Sequence, residues 1–236
     1  SILFEQDDMS GVMTNLRLVN SNISKYHPQY SFKRLPYKIL TEQENRKKDI
    51  QINNTKSQRF KESVKFPIIF ERAVEDELIE CLYEMQTRSL TDTIDARYGE
   101  GKCSPDFKLF ESEHPIIKKV SVNLIRLMED ALGTPILFHE SFFNILGAGG
   151  GTIPHRHLML PDKDFDLSKY KYSLVYYLSV GDQNCTEPGI LKLYEPNVDI
   201  LPLKGMGVLI PASRSHSAVY GGLKDRIMIG CNFYTA

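Results

Sequence analysis

Ile145-Leu146-Gly147-Ala148-Gly149-Gly150-Gly151-Thr152-Ile153-Pro154-His155-Arg156-His157 is the stretch on which the fold turns. It begins apolar, passes through a run of glycines and ends on two histidines one residue apart. In an extended chain residues i and i+2 face the same side, so both rings can point at one object. His216 comes much later, after Pro211, at a loop-to-strand junction. A returning strand can bring it beside the first pair, and three imidazoles suit Fe, Zn, Cu or Ni. Against this stands a plainer reading, in which the face of a strand carries two hydrogen-bonded rings and no metal. His27, His114 and His139 have no partner in the pattern and read as structural or solvent-exposed.

The chain around this stretch reads as β structure. From Gly133 onward short apolar runs alternate with turn residues: Ile136–Phe138, Ser141–Leu146, Ser173–Val180, Ile190–Tyr194, Gly207–Ile210, Ser217–Tyr220 and Ile227–Tyr234. They are rich in Val, Ile, Tyr and Phe and are bounded by Gly, Pro, Asn or Asp, as in a sandwich or barrel. Upstream, residues 73–88 form an amphipathic pattern, with Val74, Leu78, Cys81, Leu82 and Met85 on one face. Residues 89–110 read as a loop. A second helix is predicted from Pro115 to Leu132, started by the proline and stopped by Gly133, with Ile116, Val120, Leu124, Leu127, Met128 and Ala131 as its apolar face. Residues 1–65 are polar and without period, apart from one strand expected near Tyr37–Leu40, and read as an N-terminal arm or extension. The expected fold is mainly β with a helical cover: a double-stranded β-helix (jelly roll) preceded by two main helices. A helical part spans 66–135 and the jelly-roll core 136–236 of a single domain.

Bulk properties exclude several classes. The 236 residues carry a formal net charge of −1, with 42% hydrophobic and 25% charged residues. No global basic field favours nucleic acid, and the Arg46-Lys47-Lys48 cluster is too short to supply one. No apolar run approaches the ~20 residues that span a bilayer. Cys81, Cys103, Cys185 and Cys231 show no C-x-x-C spacing and read as reduced thiols, consistent with a cytoplasmic location. The chain starts Ser1-Ile2-Leu3 without a methionine, so a lost upstream segment stays open.

Arg226 adds a charge where the β pattern predicts burial. It heads the last strand, Arg226-Ile227-Met228-Ile229-Gly230, and a cation buried there calls for an anion. The alternative is an outward Arg226 paired with Asp225 or Glu195.

Taken together, Glu140 to Ala236 resembles the 2-oxoglutarate/Fe(II) oxygenase superfamily, most of all its prolyl-hydroxylase-like branch. The glycine-rich lead into His155 resembles that branch's approach to the first metal histidine. Val175-Tyr176-Tyr177-Leu178 resembles its "YYL" strand, and Pro188-Gly189-Ile190-Leu191-Lys192-Leu193-Tyr194 its "GG-[IT]-L" strand. Gly205 to Val219 resembles its distal-histidine segment. The resemblance implies that His155 and His216 are iron ligands, that Arg226 grips the far carboxylate of 2-oxoglutarate, and that Tyr177 helps hold it. It also implies Fe(II) and 2-oxoglutarate, with ascorbate as a further candidate, and a hydroxylation that releases succinate and CO2. The substrate expected is a small molecule or a protein side chain, with no nucleic acid and no membrane as partner.

One departure matters: the superfamily's usual motif is H-x-D, and His157 stands at the Asp position. His157 either ligates, giving three histidines, or leaves the third position to water or chloride, or marks a degenerate site. The first is the reading adopted, and it makes His155, His157 and His216 the metal ligands. The loop Leu158–Lys171, with Asp162, Asp164 and Asp166, reads as a lid at the mouth of such a site. Two rivals remain on the same scaffold. One is a cupin-type three-histidine dioxygenase without 2-oxoglutarate, and the other a β-barrel binding module without catalysis.

Overall fold

The computed structural model describes residues 66–236. The predicted arm over 1–65, its strand near Tyr37–Leu40, the basic cluster and His27 lie outside the described residues. Two antiparallel sheets form the frame. Strand β1 (Ile68–Glu71) is followed by helix α1 (Asp76–Glu84), β2 (Arg88–Ser89), β3 (Arg97–Tyr98), β4 (Gly101–Cys103) and helix α2 (Pro115–Leu132). Then come β5 (Ile136–Leu146), β6 (Gly150–His155), the short helix α3 (Leu160–Asp164), β7 (Lys171–Val180), β8 (Leu191–Leu193), β9 (Val198–Ile200), β10 (Met206–Pro211), β11 (His216–Tyr220) and β12 (Arg226–Thr235). The larger sheet has the order β1-β10-β7-β12-β5-β4-β2, and the smaller β3-β6-β11-β8-β9. This is the double-stranded β-helix expected, with two main helices before it.

Alternation along the long strands divides the large sheet into two apolar faces. Leu174, Tyr176, Ile227, Ile229 and Phe233 pack with Leu78, Leu82, Val120, Leu124 and Met128 of the helices. Val175, Tyr177, Val208 and Ile210 face the other way and pack with Leu191, Leu193 and Ile200 of the small sheet. Each fully buried Leu or Ile contributes about 1.5–3 kcal/mol, so both layers are held chiefly by these contacts.

Helix α2 has the predicted bounds. Pro115 lies in its first turn, and Gly133 ends it at φ 63°, where its N–H donates to Glu129 O at 2.7 Å. Its buried stripe is Ile116, Ile117, Val120, Ser121, Leu124, Met128 and Leu132; of the predicted face, Leu127 is half-buried and Ala131 exposed, because the 3.6-residue repeat carries the row from Met128 to 132. Helix α1 is shorter than the pattern over 73–88, since the chain leaves it extended at Met85 to enter β2. The predicted loop 89–110 holds two short strands, β3 and β4. They join at a turn where Gly99 and Gly101 have φ of 76° and 147°, and two or three residues are too few to show alternation. Two runs read separately, Ile136–Phe138 and Ser141–Leu146, are one strand, β5, with a register shift opposite Asn232/Phe233.

Arg72 ties this frame together. It forks onto Glu75, Nη1 to Oε2 and Nη2 to Oε1 at 2.8 Å each, and also donates to Tyr176 Oη at 2.9 Å and Asn123 Oδ1 at 2.6 Å. The Arg72 guanidinium holds the Glu75 carboxyl down to about 2, from an ordinary 4.5. A folded-state value below the unfolded one stabilises above the unfolded value and is lost as pH falls through the folded one. The protein and Glu75→Gln should therefore differ in stability by on the order of 2 kcal/mol near neutral pH. That gap should close as pH falls from 4.5 to about 2, read as urea midpoints across the range. A gap independent of pH would remove the pair's role.

Candidate metal and cosubstrate site

Three imidazoles meet at one end of the small sheet. His155 is the last residue of β6 and His216 the first of β11, and the two are register partners. His157 lies past the end of β6, not on it as the i, i+2 reading had it; its backbone N–H donates to Ala212 O at 2.9 Å, and this anchors the turn. One nitrogen from each ring falls within 4.8 Å of the others. The ring centroids are 4.9 Å (His155–His157), 4.3 Å (His155–His216) and 5.0 Å (His157–His216) apart. The remaining described histidines stand apart from this cluster: His114 precedes α2, and His139 lies against Tyr234 at 5.8 Å.

The outer nitrogens are held. Nδ1 of His155 meets Ile153 O at 2.8 Å, and Nδ1 of His216 meets Arg214 O at 3.2 Å. A carbonyl only accepts, so both Nδ1 atoms carry the ring proton and both Nε2 lone pairs are free, the form in which imidazole ligates a metal. Burial pushes all three rings below the ordinary value. His216 is pushed to about 3, with His155 adding to the effect of burial, and His157 well down, with His216 and His155 adding. Neutral, convergent nitrogens fit a borderline cation, and none of the three rings is paired with a carboxylate.

Arg226 is 2% exposed, so the outward alternative fails. Asp225 instead accepts from the Tyr83 hydroxyl at 2.8 Å, and Glu195 faces Arg156 at 3.4 Å. The Arg226 guanidinium lies over the ring of Tyr177, 5.0 Å from its centroid. Nε of Arg226 and the hydroxyl of Tyr177 are both buried without a hydrogen-bond partner. A buried polar group left unpaired costs about 1–3 kcal/mol, more if charged, so such a pair marks a place made for something else. Gly189 (φ +80°) makes room for it: a Cβ there would stand 2.9 Å from Arg226 Nε and 3.0 Å from Cδ. Arg226 and Tyr177 therefore fit a carboxylate-bearing ligand. Tyr176, next in sequence, faces the helices and serves Arg72 instead.

Several residues of this region were not singled out from sequence. Asn232 on β12 is opposite Glu140 on β5 and Ser173 on β7. Its Nδ2 donates to Glu140 Oε2 at 2.7 Å and lies 3.3 Å from Nδ1 of His157, and its Oδ1 accepts from Ser173 Oγ at 2.7 Å. The signal was available: a polar side chain at an inward position of an otherwise apolar strand needs a partner. Arg97 on β3 is also buried; it forks onto Asp95, donates to Asn144 Oδ1 at 3.1 Å and lies over Phe107 and Phe142. No pattern betrayed it, because its strand has two residues.

The segment 158–171 differs from the acidic lid expected of it. Asp164 and Asp166 are exposed, but Asp162 is fully buried on α3. It accepts from Lys171 Nζ at 2.8 Å, Tyr234 Oη at 2.5 Å and the Met159 N–H at 2.7 Å. It is a structural anion, not part of a solvated lid.

Comparison with known proteins agrees with the geometry at the level of fold. No protein-family model and no curated protein matches the chain. Solved structures do. An oxidoreductase of the 2OG-Fe(II) oxygenase family from Burkholderia pseudomallei superposes with a TM-score of 0.52 at 12% identity, covering 74% of this chain and 89% of that one. A prolyl hydroxylase from Trichoplax adhaerens, in complex with a hypoxia inducible factor oxygen degradation domain peptide fragment, gives 0.52 at 15%, covering 80% and 95%. The non-heme alpha ketoglutarate dependent carbocyclase SnoK from nogalamycin biosynthesis gives 0.55 at 13%, covering 75% and 84%. Among the described residues no helix is long and apolar enough to cross a membrane.

Proposed function

We propose that this protein, which has the double-stranded β-helix of the 2-oxoglutarate/Fe(II) oxygenases, is itself an Fe(II)- and 2-oxoglutarate-dependent oxygenase that hydroxylates its substrate. The observation that carries the reading is the buried, unanswered pair of Arg226 Nε and Tyr177 hydroxyl on the scaffold that gathers His155, His157 and His216. In this reading the Nε2 atoms of His155 and His216 hold the metal, with His157 as the third ring of the cluster. Iron with 2-oxoglutarate and O2 would supply oxidative decarboxylation to succinate and CO2 coupled to oxidation of a substrate C–H bond.

The protein's own part is binding and exclusion. Arg226 offers a planar fork that matches a carboxylate. Tyr177 donates its hydroxyl to the same anion; burial pushes the phenol up, so it keeps that proton. Tyr177 packs among Val175, Leu191, Leu193, Val208 and Met228, and apolar surroundings strengthen a charged contact. A cupin-type dioxygenase without 2-oxoglutarate leaves Arg226 and Tyr177 with no task. The substrate class proposed is a small molecule or a protein side chain, with ascorbate as a reductant that sustains turnover.

Anaerobic titration of the protein with Fe(II) and 2-oxoglutarate tests this. The expected result is a saturable 2-oxoglutarate-dependent visible band and, on admitting O2, succinate in proportion to 2-oxoglutarate consumed. Absence of 2-oxoglutarate binding to the iron-loaded protein would end the reading.

A further inference from the structure

His157 stands where a carboxylate was expected, and its surroundings specify which of its nitrogens holds the proton. The order of donors and acceptors begins at Glu140. Its Oε2 lies 2.7 Å from one end of the Asn232 amide. A carboxylate oxygen accepts, so that end is the NH2 group. The other end is then the carbonyl, and it receives the Ser173 hydroxyl at 2.7 Å. Three strands hold this arrangement, because Glu140, Asn232 and Ser173 are direct register partners on β5, β12 and β7. The second proton of the Asn232 NH2 faces Nδ1 of His157 at 3.3 Å. A donor there requires Nδ1 to be the bare, accepting nitrogen.

A ring whose Nδ1 is bare carries its proton on Nε2. The other face of His157 agrees: its Nε2 lies 3.3 Å from Nε2 of His216, which is a free lone pair because Nδ1 of His216 is committed to Arg214 O. The contact is a hydrogen bond from His157 to His216. The three rings are thus not equivalent. His155 and His216 turn lone pairs into the cluster, and His157 turns an N–H into it.

Resting on the oxygenase reading, we propose that the metal is held by the two imidazoles of His155 and His216, and that His157 serves as a hydrogen-bond donor to a water or small anionic ligand in the third position, kept in that form by the Glu140–Asn232 relay. Asn232 and Glu140 are positioning residues: they touch neither metal nor substrate and act by choosing the tautomer of His157.

Long-range proton–nitrogen NMR of the metal-free protein labelled at histidine reads this directly, with His→Gln variants for assignment. The expected pattern is an Nδ1–H tautomer for His155 and His216 and an Nε2–H tautomer for His157; His157 in the Nδ1–H form overturns the proposal. A second arm titrates Zn(II) alone. His155→Gln and His216→Gln are each expected to weaken binding by about 100-fold, and His157→Gln by less than about tenfold. A loss at His157 equal to the other two overturns it.

The variant Glu140→Gln/Asn232→Asp keeps shape and net charge and reverses the relay: the glutamine amide donates to the new carboxylate, which accepts from His157 Nδ1. His157 is then expected to switch to the Nδ1–H form and join the metal, tightening Zn(II) binding by about tenfold or more. An unswitched ring overturns the role of the relay. Loss of 2-oxoglutarate binding in the iron-loaded protein would remove the oxygenase reading and leave these tautomer measurements as they stand, so the two failures are distinct.

Discussion

Arg226→Met is expected to destroy 2-oxoglutarate binding while leaving the cosubstrate-free fold as stable as before, or more so. Binding would lose the buried, bidentate charge contact proposed for Arg226. Removing one partner of such a pair costs about 2–5 kcal/mol, so affinity should fall about 30-fold to several thousand-fold. Stability should move the other way because Arg226 is 2% exposed, its Nε is unanswered, and its guanidinium lies over the Tyr177 ring. Exchanging a buried charged group without a counter-ion for an apolar side chain of similar length is neutral or favourable. Isothermal titration with 2-oxoglutarate on the metal-loaded protein and thermal unfolding without cosubstrate read the two halves. A variant that still binds with native affinity would strip Arg226 of its proposed role. A large loss of unfolding temperature without 2-oxoglutarate would make it a structural residue instead.

Lys171→Met is expected to do the reverse, lowering stability sharply through a group that need not meet the substrate. Lys171 and Asp162 are both fully buried, 2.8 Å apart. Lys171 also lies over the Tyr234 ring at 5.3 Å, and Tyr234 donates its hydroxyl to Asp162. Removing the lysine leaves an uncompensated carboxylate in a site without water access, which costs about 3–5 kcal/mol. For a chain of this size that is roughly 6–20 °C in Tm. Calorimetry of the variant checks it; a shift under about 2 °C would mean that the Tyr234 hydroxyl and the Met159 N–H satisfy Asp162 without the lysine. The same cluster explains why β7 begins at Lys171 when its apolar pattern begins at Ser173: the charge continues the strand inward because α3 brings a counter-ion to it.

Much of this molecule was legible from residue order. Helix α2 was bracketed by Pro115 and Gly133, since start and stop signals are local. The long strands were visible as β-branched and aromatic runs between turn residues, and alternation within them already implied two buried faces. The pairing of His155 with His216 and the burial of Arg226 followed from the expectation that late strands return beside early ones, supported by the ordered resemblance of the last hundred or so residues. These features depend on neighbours close in sequence or on a pattern that survives without coordinates.

What only tertiary structure decided is the identity of partners across strands. Asp162 reads as one of three acids in a loop until α3 folds it against Lys171 and Tyr234. Asn232, Glu140 and Ser173 look unrelated until β5, β12 and β7 align in register. His157 illustrates the difference best: its position in an H-x-H motif predicts a third lone pair, and the amide that meets its Nδ1 assigns it a proton instead. Sequence spacing determines which side chains can reach a site; which atom of each carries the hydrogen is set by the groups behind it, and those come from distant parts of the chain.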